Sequence, residues 1–411
     1  MHVPRTPLLI PLLILALGTS AAFAQGRSTF DAARNKMVDQ EIVGAGVKNK
    51  RVIAAMRDTP RHEFMPLAQR KNAYYDMALP IGEGQTISPP FIVAYMTESI
   101  DPQPGDTVLE IGTGSGYQAA VLAKLVKEVY TIEIVEKLGN RAEQTLKRLK
   151  YTNVHVKVGD GYLGWPEHAP FDKIIVTCSP EDVPSALIEQ LKEGGRMVIP
   201  CGERYQQTLY LLKKKDGKMA SEALQPTLFV PMTGKAEAGR KVLPDPTRPT
   251  IENGGFESVA GDPPAPTGWH YQRQLDVVNA KDAPEGEKYV TFKNATPGRG
   301  SQALQGFAVD GRKVVHLQLS VWVRGRDIRP GQNAKQMPAI VISFYDENRA
   351  PAGEAVFGSW RGTFDWQAET RPLSVPQKAR EAVMRIGLFG AVGEISFDDI
   401  KMTAVKKGMR D

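Results

Sequence analysis

Between Val108 and Tyr117 the apolar run Val-Leu-Glu-Ile stops at three glycines on alternate residues, Gly112, Gly114 and Gly116, and a helical pattern follows. A strand that breaks into glycines and restarts as a helix turns sharply, with backbone conformations and close approaches that side chains forbid. The next apolar run, Val129-Tyr-Thr-Ile-Glu133, ends in a carboxylate. It lies about twenty residues beyond the first glycine, the spacing at which an acid accepts hydrogen bonds from ribose hydroxyls. Together these predict a strand-turn-helix unit of a parallel α/β sheet with an adenosine-containing guest. The dinucleotide spacing G-x-G-x-x-G is not met, because its third glycine falls on Tyr117.

Around this turn, strand-like runs at Thr107–Ile111, Val129–Glu133, Val154–Val158, Lys173–Thr177 and Arg196–Ile199 alternate with helical periodicity near Tyr117–Lys127, Val135–Leu149 and Val183–Leu191. Alternation of this kind predicts a parallel sheet covered by helices. Gly194-Gly195 reads as the C-cap of the last helix, and Asp216-Gly217 as the turn of an antiparallel hairpin. Prolines spaced through residues 239–250 mark a linker. Beyond it, period-two runs at Val315–Val323, Ala339–Tyr345 and Ala382–Phe389 replace the helical pattern, which predicts an all-β sandwich over residues 251–405.

At 411 residues the chain exceeds what one core usually supports. Its net charge of +6 is spread along the sequence, with no aromatic-interleaved basic stripe, so nucleic acid is not an expected partner. His2 and Arg5 precede the apolar run Leu8–Leu17, and Ala22-Phe-Ala24 offers a small-residue cleavage point. This reads as a secretory signal over residues 1–24, its core too short for a stable span. Export to the periplasm or medium is expected if the signal is used, and a cytoplasmic location if it is not. Cys178 and Cys201, both ending strand-like runs, are read as buried free thiols.

The glycine turn after the acidic strand end Glu110 resembles the first motif of S-adenosylmethionine-dependent methyltransferases. Ahead of it, Leu79-Pro-Ile-Gly-Glu-Gly-Gln-Thr-Ile-Ser-Pro-Pro90, introduced by Arg61-His-Glu-Phe-Met-Pro66, resembles the signature of protein-L-isoaspartate O-methyltransferases. So do Phe171-Asp-Lys-Ile-Ile-Val-Thr177, Gln190-Leu-Lys-Glu-Gly-Gly195 and Pro200-Cys-Gly202. The likeness covers about Thr29 to Lys235. It implies a class I, Rossmann-like methyltransferase domain over residues 25–238, S-adenosyl-L-methionine as cofactor, and isoaspartyl residues of damaged proteins as acceptor. Methylating the free α-carboxylate of such a residue lets the neighbouring amide close to a succinimide. A carboxylate is already ionised at neutral pH, so positioning and a dry path matter more than a base; His62 and His155 are therefore not needed as bases.

By the same resemblance Ser88 is the active-site serine, its hydroxyl donating to the acceptor. Thr86, Ile87 and Ser88 flank the cofactor; Glu110, Gly112, Thr113, Gly114, Ser115, Gly116 and Tyr117 surround its methionine part. Glu133 takes the ribose, Asp160 and Gly161 the adenine, and Thr233 the edge of the site. The chain departs from the family at Pro89, where Gln is common, and after Thr233.

Asn253-Gly-Gly-Phe-Glu257, Pro266-Thr-Gly-Trp269 and Gly393-Glu-Ile-Ser-Phe-Asp-Asp-Ile400 resemble motifs of jelly-roll, galactose-binding-like carbohydrate-binding modules. That implies a glycan or envelope ligand and a structural calcium at Glu257 and Asp398; separately, strand alternation puts Trp322 opposite Leu317, Leu319, Val321 and Val323, and Tyr345 opposite Ile340, Ile342 and Phe344. Residues 406–411 form a basic tail. Two other readings stay open: an exported peptide- or glycan-binding protein on an inactive methyltransferase fold, and a small-molecule O-methyltransferase.

Overall fold

The computed structural model describes residues 29–261 and 263–408. The segment read as an export signal and the end of the basic tail lie outside them. Helix α1, residues 29–37, runs on into the π-helical Val38–Val43. Helix α2 (Lys50–Asp58) starts at Asn49, whose side chain accepts from the amides of Arg51 and Val52. A short hairpin, β1 (Leu79–Gly82) and β2 (Gln85–Ile87), leads into helix α3 (Pro90–Ser99).

A seven-stranded sheet follows, formed by β3 (Thr107–Ile111), β4 (Glu128–Glu133), β5 (Val154–Val158), β6 (Phe171–Val176), β7 (Leu191–Glu203), β8 (Gln206–Lys215) and β9 (Lys218–Thr227). Its spatial order is β5-β4-β3-β6-β7-β8-β9. Strands β3 to β7 pair in parallel, and β8 and β9 are antiparallel. The chain winds outward from β3 to β5 and then returns to lay β6 on the other side of β3. Open α/β sheets bind ligands at such a reversal, outside the carboxyl ends of the strands. Helices α4 (Tyr117–Ala123), α5 (Glu136–Arg148) and α6 (Ser185–Gln190) make the crossovers. The Asp216-Gly217 turn forms as expected: both residues have positive φ (52° and 70°) and Lys215 pairs with Lys218, the two-residue geometry that matches strand twist.

Two helix ends differ from the sequence reading. Helix α4 stops at Ala123, short of Lys127, because the Asn153 side-chain amide donates to the carbonyls of Ala123, Val126 and Lys127. Helix α6 stops at Gln190, so Gly194-Gly195 is not its cap. Both glycines lie in an irregular start of β7, where Phe171 pairs with Leu191 but Lys173 with Arg196. Gly194 has φ of 78° and a Cβ at Gly195 would sit 2.9 Å from the Asp172 carbonyl oxygen.

Beyond a four-residue helix α7 (Lys235–Ala238) and the proline-spaced stretch, the described residues are β-rich. Strands β10 (Val259–Ala260) and β11 (Ala265–Pro266) make a two-residue ladder. One five-stranded antiparallel sheet has the order β12 (His270–Arg273), β15 (Gln302–Ala308), β20 (Glu381–Gly387), β17 (Ala339–Tyr345), β18 (Pro351–Gly358). The other runs β13 (Leu275–Asn279), β14 (Lys288–Asn294), β21 (Val392–Lys406), β16 (Val314–Arg329), β19 (Gly362–Ser374). Phe292, Leu319, Phe344, Met384 and Phe397 from both sheets share one core. Along β16, Leu317, Leu319, Val321 and Val323 are buried while Trp322 is half-buried on the opposite face; Tyr345, ending β17, is also half-buried.

The two-sheet region packs on the turn between β7 and β8. Glu381, buried, accepts from Arg204 and the Tyr205 hydroxyl and pairs with Arg349. The ring of Tyr205 occupies the space a side chain at Gly306 would need: a Cβ there would be 2.6 Å from it.

Candidate active site

A cleft opens at the carboxyl ends of β3, β4 and β6, where the sheet order reverses. It is lined by Thr86, Ile87, Ser88, Gly112, Thr113, Gly114, Ser115, Tyr117, Glu133, Gly161 and Thr233, which brings together residues far apart in sequence. The strand β2 supplies the first two. Ser88 follows it directly and precedes Pro89 and Pro90, which start α3 without presenting amide hydrogens that would need partners. The next amide, Phe91, donates to Asp76 Oδ1 at 2.8 Å. Among the described residues the Ser88 hydroxyl has no hydrogen-bond partner.

The three glycines divide their work. Gly112 (φ 96°) donates to the Ile132 carbonyl, and a Cβ on it would lie 2.5 Å from Thr177 Oγ1, so only glycine lets the turn close over β6. Gly114 (φ 54°) donates to Glu133 Oε2 at 2.7 Å. Gly116 (φ 85°) faces away from the cleft, toward Leu146 and Ala142 of α5. It starts α4 in the left-handed conformation and is a packing glycine.

Glu133 holds the turn as well as lining the cleft: its second oxygen accepts from the Val135 amide at 2.9 Å. Burial raises its carboxyl above the usual range, against the pull of these amides. Glu110 lies fully buried beneath the turn, outside the residues that line the cleft. Among the described residues neither of its oxygens has a hydrogen-bond partner. Burial pushes its carboxyl up to about 8, outweighing the nearby Thr131 hydroxyl. Asp160 also stays out of the cleft wall and acts as a tie: Oδ1 accepts from the Tyr162 amide and Oδ2 from the Lys235 amide, both at 3.0 Å. It joins the end of β5 to the turn that carries Thr233.

Sequence reasoning missed part of the wall. Thr177 and Cys178 at the end of β6, Val230, Pro231 and Met232 before Thr233, and Gln118 on α4 all line the cleft. The apolar run ending at Thr177 was the available signal, since it places its last residues at the same sheet edge. Cys178 and Cys201 are free; Cys201 is buried and its thiol pushed up to about 12, whereas Cys178 is partly exposed at the cleft.

The other singled-out residues lie elsewhere. His62 stacks on Phe30 at 4.2 Å and meets the Tyr74 hydroxyl at 2.7 Å; His155 pairs with Glu128. Neither faces the cleft. Glu257 and Asp398 hold one loop from two sides. Glu257 accepts from the amides of Glu287 and Lys288, and Asp398 from Glu285 and Asp399. Burial raises Asp398 to about 6. Among the described residues no group of three or more His, Cys, Asp or Glu is placed to hold a metal ion. Nor is any helix of the described residues long and apolar enough to cross a membrane.

The cleft suits a nucleoside-bearing cation. Glu133 offers an acidic wall and the glycines a backbone cradle that admits close contact, while Glu110 lies protonated beneath the turn. Comparison with known proteins agrees with this chemistry. The model of the family described as protein-L-isoaspartate(D-aspartate) O-methyltransferase (PCMT) matches residues 32–237. A protein-L-isoaspartate O-methyltransferase of Opitutus terrae is 51% identical over 231 residues, 56% of this chain and 98% of that relative. Protein-L-isoaspartate O-methyltransferase 1 of Cupriavidus necator is 50% identical over 56% of this chain and 93% of its own length. The corresponding protein of Gloeobacter violaceus is 52% identical over 48% and 97%. Sheet order, glycine turn and these matches agree: the chain belongs to the protein-L-isoaspartate(D-aspartate) O-methyltransferase family.

Proposed function

We propose that this chain repairs damaged proteins by transferring a methyl group from S-adenosylmethionine to the free α-carboxylate of L-isoaspartyl residues. The observation that carries the reading is that Ser88, whose hydroxyl has no hydrogen-bond partner among the described residues, lines the same cleft as the glycine turn. When bound, S-adenosylmethionine supplies an activated methyl on a sulfonium. The residues of the chain supply placement. Ser88 donates to one oxygen of the acceptor carboxylate and fixes its approach; the apolar side chains of Ile87 and Met232 keep water from the path. No general base is needed, because the acceptor is ionised at neutral pH. Thr86, Glu110, Gly112 through Ser115, Glu133, Gly161 and Thr233 form the cofactor's surroundings in this reading. Asp160 and Gly116 support it from behind.

The same reading divides the chain into a methyltransferase domain (residues 25–238), a linker (239–250) and a jelly-roll, galactose-binding-like domain (251–405). The two five-stranded sheets around one core support the last assignment. A glycan or envelope ligand for that domain, and export directed by residues 1–24, belong to this proposal. An array of glycans probed with the full chain tests the first, and fractionation of producing cells the second.

The central test is transfer from labelled S-adenosylmethionine to an isoaspartyl peptide and its aspartyl twin. Methylation of the isoaspartyl peptide alone is expected, with kcat/KM reduced about ten-fold or more in Ser88→Ala. Equal methylation of both peptides would overturn the acceptor assignment.

A further inference from the structure

The C-terminal region reaches the segment that carries Ser88. Strand β12 is bulged between His270 and Arg273, and Tyr271 sits in the left-handed region with φ of 52°. A bulky residue held there costs energy, and such strain persists where the surroundings fix a particular side-chain direction. Here the direction leads out of the β region. The Tyr271 hydroxyl donates to the Asp76 carbonyl oxygen at 2.7 Å, and its ring packs against the core of the N-terminal region. Arg273 Nε donates to Asp76 Oδ2 at 3.0 Å. The Asp76 side chain is 2% exposed and that of Arg273 14%, so the pair is shielded from solvent. The guanidinium also lies 3.9 Å from the centre of the Phe91 ring. Asp76 passes this grip on, since its other carboxylate oxygen holds the Phe91 amide, three residues beyond Ser88.

A second contact grips the same segment at its other turn. Between β1 and β2, a Cβ at Gly84 would lie 2.2 Å from the Asn348 carbonyl oxygen. The two-sheet region therefore meets this segment at both its ends, Asp76 and Phe91, through Arg273, and at Gly84 between them, with Ser88 lying between Gly84 and Phe91. The Opitutus terrae relative is matched over 98% of its length by 56% of this chain. This support is thus an addition to what that relative contains.

We propose that Arg273 and Tyr271 are positioning residues of the methyl-transfer site: acting through Asp76, they fix the Ser88 segment and so couple acceptor use to the C-terminal region. The proposal rests on the reading of Ser88 as the acceptor-orienting residue. Asp76 gives the route, because a carboxylate that loses Arg273 is left buried with an uncompensated charge and no longer holds the start of α3 in one place.

The test uses the full chain and two readouts. In Arg273→Gln, kcat/KM for an isoaspartyl peptide is expected to fall about ten-fold or more, while S-adenosylhomocysteine affinity stays within about two-fold. Arg273→Lys, which keeps the ion pair, restores part of the loss. Tyr271→Phe removes a single hydrogen bond and gives a smaller loss of the same kind, so the proposal stays testable if Arg273→Gln does not fold. Hydrogen exchange of residues 79–95 is the second readout and needs no activity. Faster exchange there in Arg273→Gln or Tyr271→Phe supports the proposal even if the wild-type chain methylates another acceptor. Unchanged exchange with unchanged kcat/KM overturns it, as does a parallel loss of peptide turnover and cofactor affinity.

Discussion

Glu110 is a carboxyl whose ionisation burial controls in the free protein. Folded, it keeps its proton up to about 8; unfolded, it titrates in the ordinary carboxylate range. The folded state therefore binds the extra proton between those limits, and the stability this contributes is present at acid pH and lost as pH rises through about 8. The unfolding temperature of the free chain is expected to fall from pH 6 to pH 9, and Glu110→Gln to flatten that slope and be the more stable protein at pH 9. Binding a cation beside Glu110 draws the proton off, so calorimetric titration near pH 7 in buffers of different ionisation enthalpy should register proton release. An equal pH slope in Glu110→Gln would assign the effect to another group. Sequence showed Glu110 as the end of an apolar strand but not its lack of partners, which depends on what the turn leaves uncovered. The glycines were legible as a turn, whereas the separation of Gly112 at β6 from Gly116 at α5 required the helix packing.

At the level of elements, the alternation of strands and helices was read with few errors, because the hydrophobic period and the Asp216-Gly217 turn are local signals. The ends of α4 and α6 were misread because their stop signals are remote or ambiguous. Asn153, thirty residues beyond Ala123, closes α4, and glycines that looked like a cap serve a strand irregularity. The short helical turn after Asp160 shows how close such elements lie. A Cβ at Gly161 would fall 2.3 Å from Ile111 Cγ2 at the end of β3. Gly161→Ala is expected to cost about 1–3 kcal/mol of stability by overpacking, measured as a lower denaturant midpoint. Weaker S-adenosylhomocysteine binding should accompany it, since Gly161 also lines the cleft. Unaltered stability and binding would show that β3 yields without consequence.

For the whole molecule, the sequence marked two regions and a linker but not the surface between them, since Tyr205, Tyr271 and Glu381 carry no local signal of meeting distant partners. His270 belongs to that surface. It is 1% exposed, and its Nε2–H donates to the Tyr205 carbonyl oxygen at 2.9 Å, while Nδ1 has no partner among the described residues. Burial lowers it to about 4. Unfolded, it takes a proton near the ordinary value for histidine, so its contribution to stability is full above that value and is lost as pH falls toward about 4. Melting between pH 7 and pH 4.5 should show the chain weakening, and His270→Asn should lessen the change; an identical acid dependence would clear His270 of the effect. Tyr271 carries a different consequence, one of timing. Its ring packs against the core of the N-terminal region, so a ribosome that has made every residue of the catalytic fold has still not made the side chain that completes that core. The segment bearing Ser88 therefore meets Tyr271 and Arg273 only after the chain has been synthesised past residue 273.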